Sequence, residues 1–326
     1  MKYYPVFIPT LNRYTHLRRC IESLSRCTYA EETELIIGLD YPPSEKYRHG
    51  YNQIKLYLPN IIGFKKVTVI EHNTNLGPGK NWKFLMDYCF EKYDACIGSE
   101  DDNEFSPCFL DYMAKTLDRY YKDSDIVSVC GYNFEAFYDQ KGKSVYKSVN
   151  SSAWGIGFWK HKELLLEEKL KGISYFEKIL YSPSKSKKII KNYPWMYWML
   201  DTMVAWGAGW GDVKRSVLNI LEHTYQIKPA ISLVKNWGFD GSGEHSQSPD
   251  LEFQEISVEK FFFLTDEIQE FETKDNRLNT YMHSVPNAPK KKKEFFRHIR
   301  ILQVLNNFPP FRIVLKLRKL KNRLKK

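Results

Sequence analysis

The chain has 326 residues, 43% hydrophobic and 15% aromatic, which excludes a disordered polymer and allows one large α/β domain with additions or two small domains. Its net charge of +10 is uneven: residues 290–326 hold fourteen Lys or Arg against the single acid Glu294, a local +13 that leaves the rest at −3. An acidic body with a basic tail argues against a nucleic-acid partner, and points to an anionic membrane surface or an acidic partner.

Pro5–Thr10 is a short apolar run and reads as a strand rather than a leader. Tyr14–Cys27 carries Leu17, Cys20, Ile21 and Leu24 at helical spacing. Glu34–Leu39 is a second strand, Ser44–Leu58 a second helix ended by Pro59, and Lys66–Glu71 a third strand. Pro78–Phe90 reads as a helix with proline at its start. Asp94–Ser99 is a strand, Pro107–Tyr121 a helix and Ile126–Cys130 a strand. Repeated alternation predicts an α/β fold with a mostly parallel sheet flanked by helices, whose ligands bind beyond the carboxyl ends of the strands.

Beyond residue 131 the alternation is expected to stop in an aromatic, irregular stretch reaching Leu233. Within it Pro194–Gly211 reads as buried core and Lys185–Lys191 as a surface loop or helix end. Ser284–Pro289 reads as a linker. The six cysteines form no CxxC pair, and none lies beyond Cys130. This pattern predicts free thiols in a reducing cytoplasm.

The strongest chemical signal is Glu100-Asp101-Asp102 at the end of a strand. Three adjacent carboxylates repel one another unless a cation compensates them, so the triplet reads either as a divalent-ion site or as a solvated acidic turn. The other predicted strand ends reach the same rim: Pro9-Thr10-Leu11-Asn12-Arg13 after the first, Asp40 after the second, and Asn75-Leu76-Gly77-Pro78-Gly79-Lys80 after the third. Asp40 can accept from a base or ribose, and backbone amides at a helix start with Lys80 suit phosphate. Turn chemistry alone would also use such asparagines and glycines.

These residues, Pro9 to Arg13, Asp40, Asn75-x-Gly77 and Glu100-Asp101-Asp102, resemble the nucleotide-sugar half of GT-A glycosyltransferases of family two. The run from Glu100 through Pro107, Phe109, Leu110 and Tyr112 is similar to the variant shared with eukaryotic N-acetylglucosaminyltransferase I. The resemblance implies that Asp102 is a direct metal ligand, with Glu100 and Asp101 towards the sugar and ribose, and Pro9, Thr10, Asn12, Arg13, Asp40, Asn75 and Gly77 around the nucleotide, beside the Lys80 already read as a phosphate contact. The implied cofactors are Mn²⁺ or Mg²⁺ and a nucleotide-sugar donor, by family habit a UDP-sugar.

The segment Ser151–Lys160 is similar to the Trp-Gly segment of a bacterial subgroup in surface polysaccharide synthesis. Leu233–His245 resembles that subgroup's closing motif, which implies His245 as the second metal ligand. The subgroup carries an aspartate twenty-one residues before the leucine of that motif, which here falls on Asp212. An inverting transfer needs a carboxylate to take the acceptor's proton, so Asp212 is the expected base. Asp201, in an apolar stretch, is the reserve.

The tail interleaves Phe295, Phe296, Ile299, Ile301, Leu302 and Leu305 with basic residues. After Pro309-Pro310 come Ile313 to Leu324. Two short amphipathic helices joined at the prolines would lie in a membrane interface. The reading is a GT-A domain over 1–285 (donor half 1–102, acceptor half 103–260) and a membrane-associating tail over 286–326. The enzyme would transfer sugar to a glycan or lipid-linked acceptor at the inner face of the cell membrane. Its rivals are a sugar-phosphate nucleotidyltransferase and a non-catalytic scaffold.

Overall fold

The computed structural model describes residues 2–133, 144–241, 256–266, 269–270 and 288–308. The N-terminal alternation is realised: β1 (Val6–Thr10), α1 (Tyr14–Ser25), β2 (Glu34–Leu39), α2 (Arg48–Tyr57), β3 (Lys66–Glu71), α3 (Pro78–Lys92) and β4 (Ala95–Gly98). Then follow β5 (Asn103–Phe105), α4 (Phe109–Arg119) and β6 (Ile126–Cys130). β1 runs parallel between β2 and β4, and β2 runs parallel to β3. Thr10 pairs with Leu39 and Phe7 with Gly98. This register brings Thr10, Asp40 and the residues after Gly98 to one rim.

The expectation of irregular chain beyond residue 131 is corrected. That region adds β7 (Val145–Ser148), β8 (Ile156–Trp159), β9 (Tyr225–Pro229), β10 (Val234–Asn236) and β11 (Gln269–Glu270). It also adds α5 (Lys160–Leu170), α6 (Ile173–Leu180), α7 (Pro183–Asn192), α8 (Pro194–Trp206) and α9 (Gly211–Glu222). Strands of two to five residues are too short to show a period of two. In α5 the consecutive Leu164, Leu165 and Leu166 leave no apolar stripe at helical spacing. Lys185–Lys191 is part of α7 rather than a loop.

Among the described residues nine strands form one sheet in the order β11-β7-β9-β6-β8-β4-β1-β2-β3, and β10 and β5 form a two-stranded antiparallel ribbon. The parallel run β4-β1-β2-β3 carries the rim. β8 joins antiparallel to both β4 and β6, so the sheet as a whole is mixed. On one face α3 buries Leu85, Met86, Cys89 and Phe90 against Phe7, Ile36, Cys96, Ile156 and Phe158. In α1 the buried Leu17, Cys20, Ile21 and Leu24 follow the i, i+3, i+4, i+7 stripe expected of a half-buried helix. All six cysteines are buried and free.

The chain forms two compact units: Met1–Ser148, Ser152–Glu163 and Gln226–Glu270 make one; Val149–Ser151, Leu164–Tyr225 and Phe271–Lys326 make the other. The second is helical. Phe176, Ile179 and Leu180 of α6, Ile189 of α7, Leu200, Met203 and Val204 of α8 and Val217 of α9 are buried in it. The expected C-terminal amphipathic helix is present as α10 (Ala288–Asn307). Ala288 and Pro289, expected as the end of a linker, open that helix; the helix expected after Pro309-Pro310 lies outside the described residues. Among the described residues no helix is long and apolar enough to cross a membrane. Pro194–Gly211 is largely α8, with Met196, Tyr197, Leu200, Met203 and Val204 in the core.

In the first unit the turn from α4 to β6 is closed from inside by Lys162, which is buried. Its Nζ donates to the carbonyls of Tyr120 (2.9 Å), Asp123 (2.8 Å) and Ile126 (2.6 Å) and sits 3.8 Å from the Trp159 ring. Burial pulls this ammonium down to about 8. Above that pH the folded chain gives up a proton that the unfolded chain still holds, so unfolding takes up a proton and stability from this group rises with pH up to the ordinary lysine range. Lys162→Met is expected to flatten that rise in a urea-melt series and, by orphaning three buried carbonyls, to cost about 2–3 kcal/mol at neutral pH. A variant with unchanged urea midpoints at every pH would contradict the assignment.

Candidate functional site

β4 ends at Gly98, and the chain turns through Glu100, Asp101 and Asp102 into β5. Asp101 and Asp102 are 4% and 6% exposed, so two adjacent carboxylates are withdrawn from water together. Such a pair is stable only against a cation. Arg13, in the loop between β1 and α1, supplies it as a fork: Nη1 donates to Asp102 Oδ2 at 2.7 Å, and Nη2 donates to Asp101 Oδ1. Thr10, the last residue of β1, donates to Asp101 Oδ2 at 2.8 Å. Burial raises the Asp101 carboxyl above its ordinary range against the opposing pull of Arg13, and Asp102 adds to the rise. Burial lowers Arg13 in turn, but the two aspartates outweigh it and hold the guanidinium firmly charged.

The far side of Asp102 is closed by the segment after β10. Asn236 Nδ2 donates to Asp102 Oδ1 at 2.6 Å and to Asn103 Oδ1 at 2.9 Å, and the Trp237 amide donates to the Asp102 carbonyl at 2.8 Å. The Gly238 amide returns to Asn236 Oδ1 at 2.9 Å. A Cβ on Gly238 would collide with Asp102 Oδ2, so only glycine lets the backbone come this close. Asn236 belongs to the closing motif of the sequence, yet its role escapes a linear reading. It acts on residues more than 130 positions away, across a ribbon whose pairing of Asn236 with Asn103 is not written in either strand.

A second node sits at the end of β2. Asp40 is buried, and its oxygens accept from the amides of Tyr41 (2.9 Å), Leu76 (2.8 Å) and Gly77 (2.8 Å) and from Asn75 Nδ2 (3.2 Å). Four donors fill the acceptor positions of a carboxylate. Gly77, at φ +75°, takes a backbone conformation that an L side chain resists, and opens α3. Lys80 is exposed in the first turn of that helix, while Pro9 and Asn12 are half-buried on the rim.

Glu100 faces an aromatic wall. Its Oε2 accepts from Trp154 Nε1 at 2.9 Å, and the Trp154 ring meets Tyr132 edge-on at 4.4 Å and Phe239 at 5.8 Å. A cleft of about 470 Å³ lies beside Arg13, lined by Asn12, Tyr14, Thr15, His16, Gln53 and Asp240. His16 Nε2 lies 3.1 Å from Asp240 Oδ2, which ties the closing segment to α1.

The structure therefore brings together Thr10, Arg13, Asp101 and Asp102, and separately Asp40, Asn75 and Gly77. Asp212 and Asp201 belong to the second unit. Asp212 is in the first turn of α9, and Asp201 accepts from Asn306 Nδ2 at 3.0 Å within that unit. His245 lies outside the described residues, among which no three His, Cys, Asp or Glu side chains converge as a metal cage. The donor chemistry nonetheless fits a hard divalent ion at Asp102. Two carboxylates, Asp101 and Asp102, share one guanidinium, and each Asp102 oxygen accepts one hydrogen bond among the described residues, which leaves it a second lone pair.

Residues 6–182 match the family described as Glycosyl transferase family 2, more than half of the chain. No curated protein matches. Among solved structures, the mannosyltransferase PcManGT from Pyrobaculum calidifontis in complex with GDP-Man and Mn²⁺ is 14% identical over 51% of this chain and 46% of that one, with a TM-score of 0.36. S. aureus TarS 1-349 in complex with UDP-GlcNAc is 17% identical over 52% and 48%, with a TM-score of 0.37. Mouse xyloside xylosyltransferase 1 is 10% identical over 68% and 83%, with a TM-score of 0.38. The chain spans about half the length of the first two.

Removing the fork tests what holds the acidic turn. Arg13→Ala leaves two buried carboxylates without their guanidinium and is expected to cost about 3–5 kcal/mol by chemical denaturation. Arg13→Lys should recover only part of this, because an ammonium cannot bridge both carboxylates. A loss below about 1 kcal/mol for Arg13→Ala, the range of an exposed ion pair, would sink this account.

Proposed function

The chain belongs to glycosyl transferase family 2 and has its GT-A α/β fold, and from that premise we propose that it moves a sugar from a nucleotide-diphosphate sugar, UDP-linked, onto a hydroxyl of a glycan or glycolipid acceptor in surface polysaccharide synthesis. The observation that carries this is the buried Asp101–Arg13–Asp102 fork at the carboxyl ends of β1 and β4, steadied by Asn236. Parallel strands converge there on the position where such sheets take their ligands.

In this reading Arg13 and the amides opening α3, with Lys80, meet the diphosphate. Asp101 and Glu100 face the ribose and the sugar, and Trp154 offers its ring beside Glu100. Asp40 acts by holding Leu76 and Gly77 in place, which shapes the wall against which a nucleoside would lie. Asp102 would hold Mn²⁺ or Mg²⁺, with His245 as second ligand. Such an ion, when bound, would neutralise charge developing on the departing diphosphate. Asp212 is the proposed base for the acceptor hydroxyl, with Asp201 in reserve; a base there makes the reaction an inverting one.

Calorimetric titration of UDP and GDP, with and without Mn²⁺, tests the donor side. UDP is expected to bind with Mn²⁺, and Asp102→Ala to weaken it by more than the ~10–100-fold that loss of an outer partner costs. Asn236→Ala should fall within that range. Failure of both nucleotides to bind under all conditions would overturn the reading. With a donor in hand, Asp212→Asn should lower kcat by about 10²–10⁴ while leaving nucleotide affinity unchanged. An unchanged kcat would remove Asp212 from the base's role.

A further inference from the structure

The C-terminal helix α10 does not present the face that its sequence suggests. Ile299 and Asn306 are fully buried. Asn306 Nδ2 donates to Tyr197 Oη at 3.2 Å and to Asp201 Oδ1 at 3.0 Å, and Asn307 Nδ2 to Ser186 Oγ at 3.0 Å. Phe295 stacks at 5.9 Å on Trp195, which lies 4.8 Å from Trp198. One side of α10 is therefore spent on α7 and α8. A second apolar stripe remains, Ile301, Val304 and Phe308, at 46%, 64% and 50% exposure. Their spacing of i, i+3 and i+7 sets them on one face. Lys293, Arg297 and Arg300 are exposed around that stripe, with Glu294 the one acid there.

We infer that this outward face of α10 is a membrane-binding surface for an anionic lipid bilayer, held rigidly to the second unit by the Asn306 and Asn307 bonds. A stripe of large apolar side chains bordered by cations is the pattern that settles at the headgroup boundary, where chains enter the acyl edge and charges stay among phosphates. A second copy of the chain is a poorer occupant: a two-fold contact sets the face against itself and brings its cations together. Nucleic acid would use the cations and leave the apolar stripe in water. The sequence extends the same chemistry past the helix: residues 309–326 hold eight cations, Arg312, Lys316, Arg318, Lys319, Lys321, Arg323, Lys325 and Lys326, and no acid.

The inference stands apart from the donor site, because nucleotide titration reads that site without lipid. The test uses the full chain with vesicles of phosphatidylcholine alone or mixed with phosphatidylglycerol. Co-sedimentation is expected only with the anionic vesicles and should fall with salt. Arg297→Glu with Arg300→Glu should lower partition at least ~10-fold, and so should Val304→Glu with Phe308→Glu. As a local readout, Val304→Cys carrying an environment-sensitive fluorophore should shift to the blue on anionic vesicles, while the same label at Leu56→Cys in the first unit, 77% exposed in the parent chain, should not. Equal binding to neutral vesicles, or a label at 304 that stays in water while the protein sediments, would overturn the assignment. A shift that follows protein concentration without vesicles would give the face to a second copy and overturn it equally.

Discussion

Two neighbouring carboxylates buried at the end of β4 are the constraint on which the rim depends. Asp101 and Asp102 cannot both remain charged out of water without a cation within reach. The guanidinium of Arg13 meets that need in a bidentate geometry that a lysine could not reproduce. This one interaction sets the path of the β1–α1 loop, since Arg13 must arrive where the turn after β4 leaves. It also explains why Asn236 and Gly238 come so close. Once one oxygen of Asp102 faces the guanidinium, the other takes a neutral donor from Asn236, and the backbone two residues on, at Gly238, must pass without a Cβ.

Asp40 solves a similar problem by different means. Its carboxylate is buried without a guanidinium and is satisfied by four neutral donors from the β3–α3 connection and its own neighbour. The two nodes divide the labour of the rim. The Asp40 node is closed and locks loop geometry. The acidic turn keeps a surplus of negative charge and open lone pairs, so it is the part able to meet a ligand. Rigid support next to reactive surplus suits a site that positions a charged, flexible donor.

The second unit shows the same economy in its tail. Asp201, attractive as a reactive group because of its apolar neighbours, accepts from Asn306 and so helps fasten α10. The helix then divides its apolar residues between a docking side and an outward stripe. Linear hydropathy counts the two together, because it registers how much apolar surface a helix has and not which neighbour consumes it.

Much of this was legible in the chain itself. Apolar runs with β-branched residues and helical stripes marked β1 to β4 and α1 to α4. The polar strand ends marked a rim, and the acidic triplet marked its chemistry. Those features are local: period, capping residues and turn glycines act over a few positions, so the order of residues carries them. The strand and helix content beyond residue 131 was not legible, because strands of two to five residues and a run of three consecutive leucines have no readable period. Nor was the partner of each charged group. Tertiary structure alone decided that Arg13 forks the two aspartates, that Asn236 completes Asp102 and that Asp40 is saturated. Each pairing joins positions tens to more than a hundred residues apart, and it is set by the register in which strands meet, which no local pattern encodes.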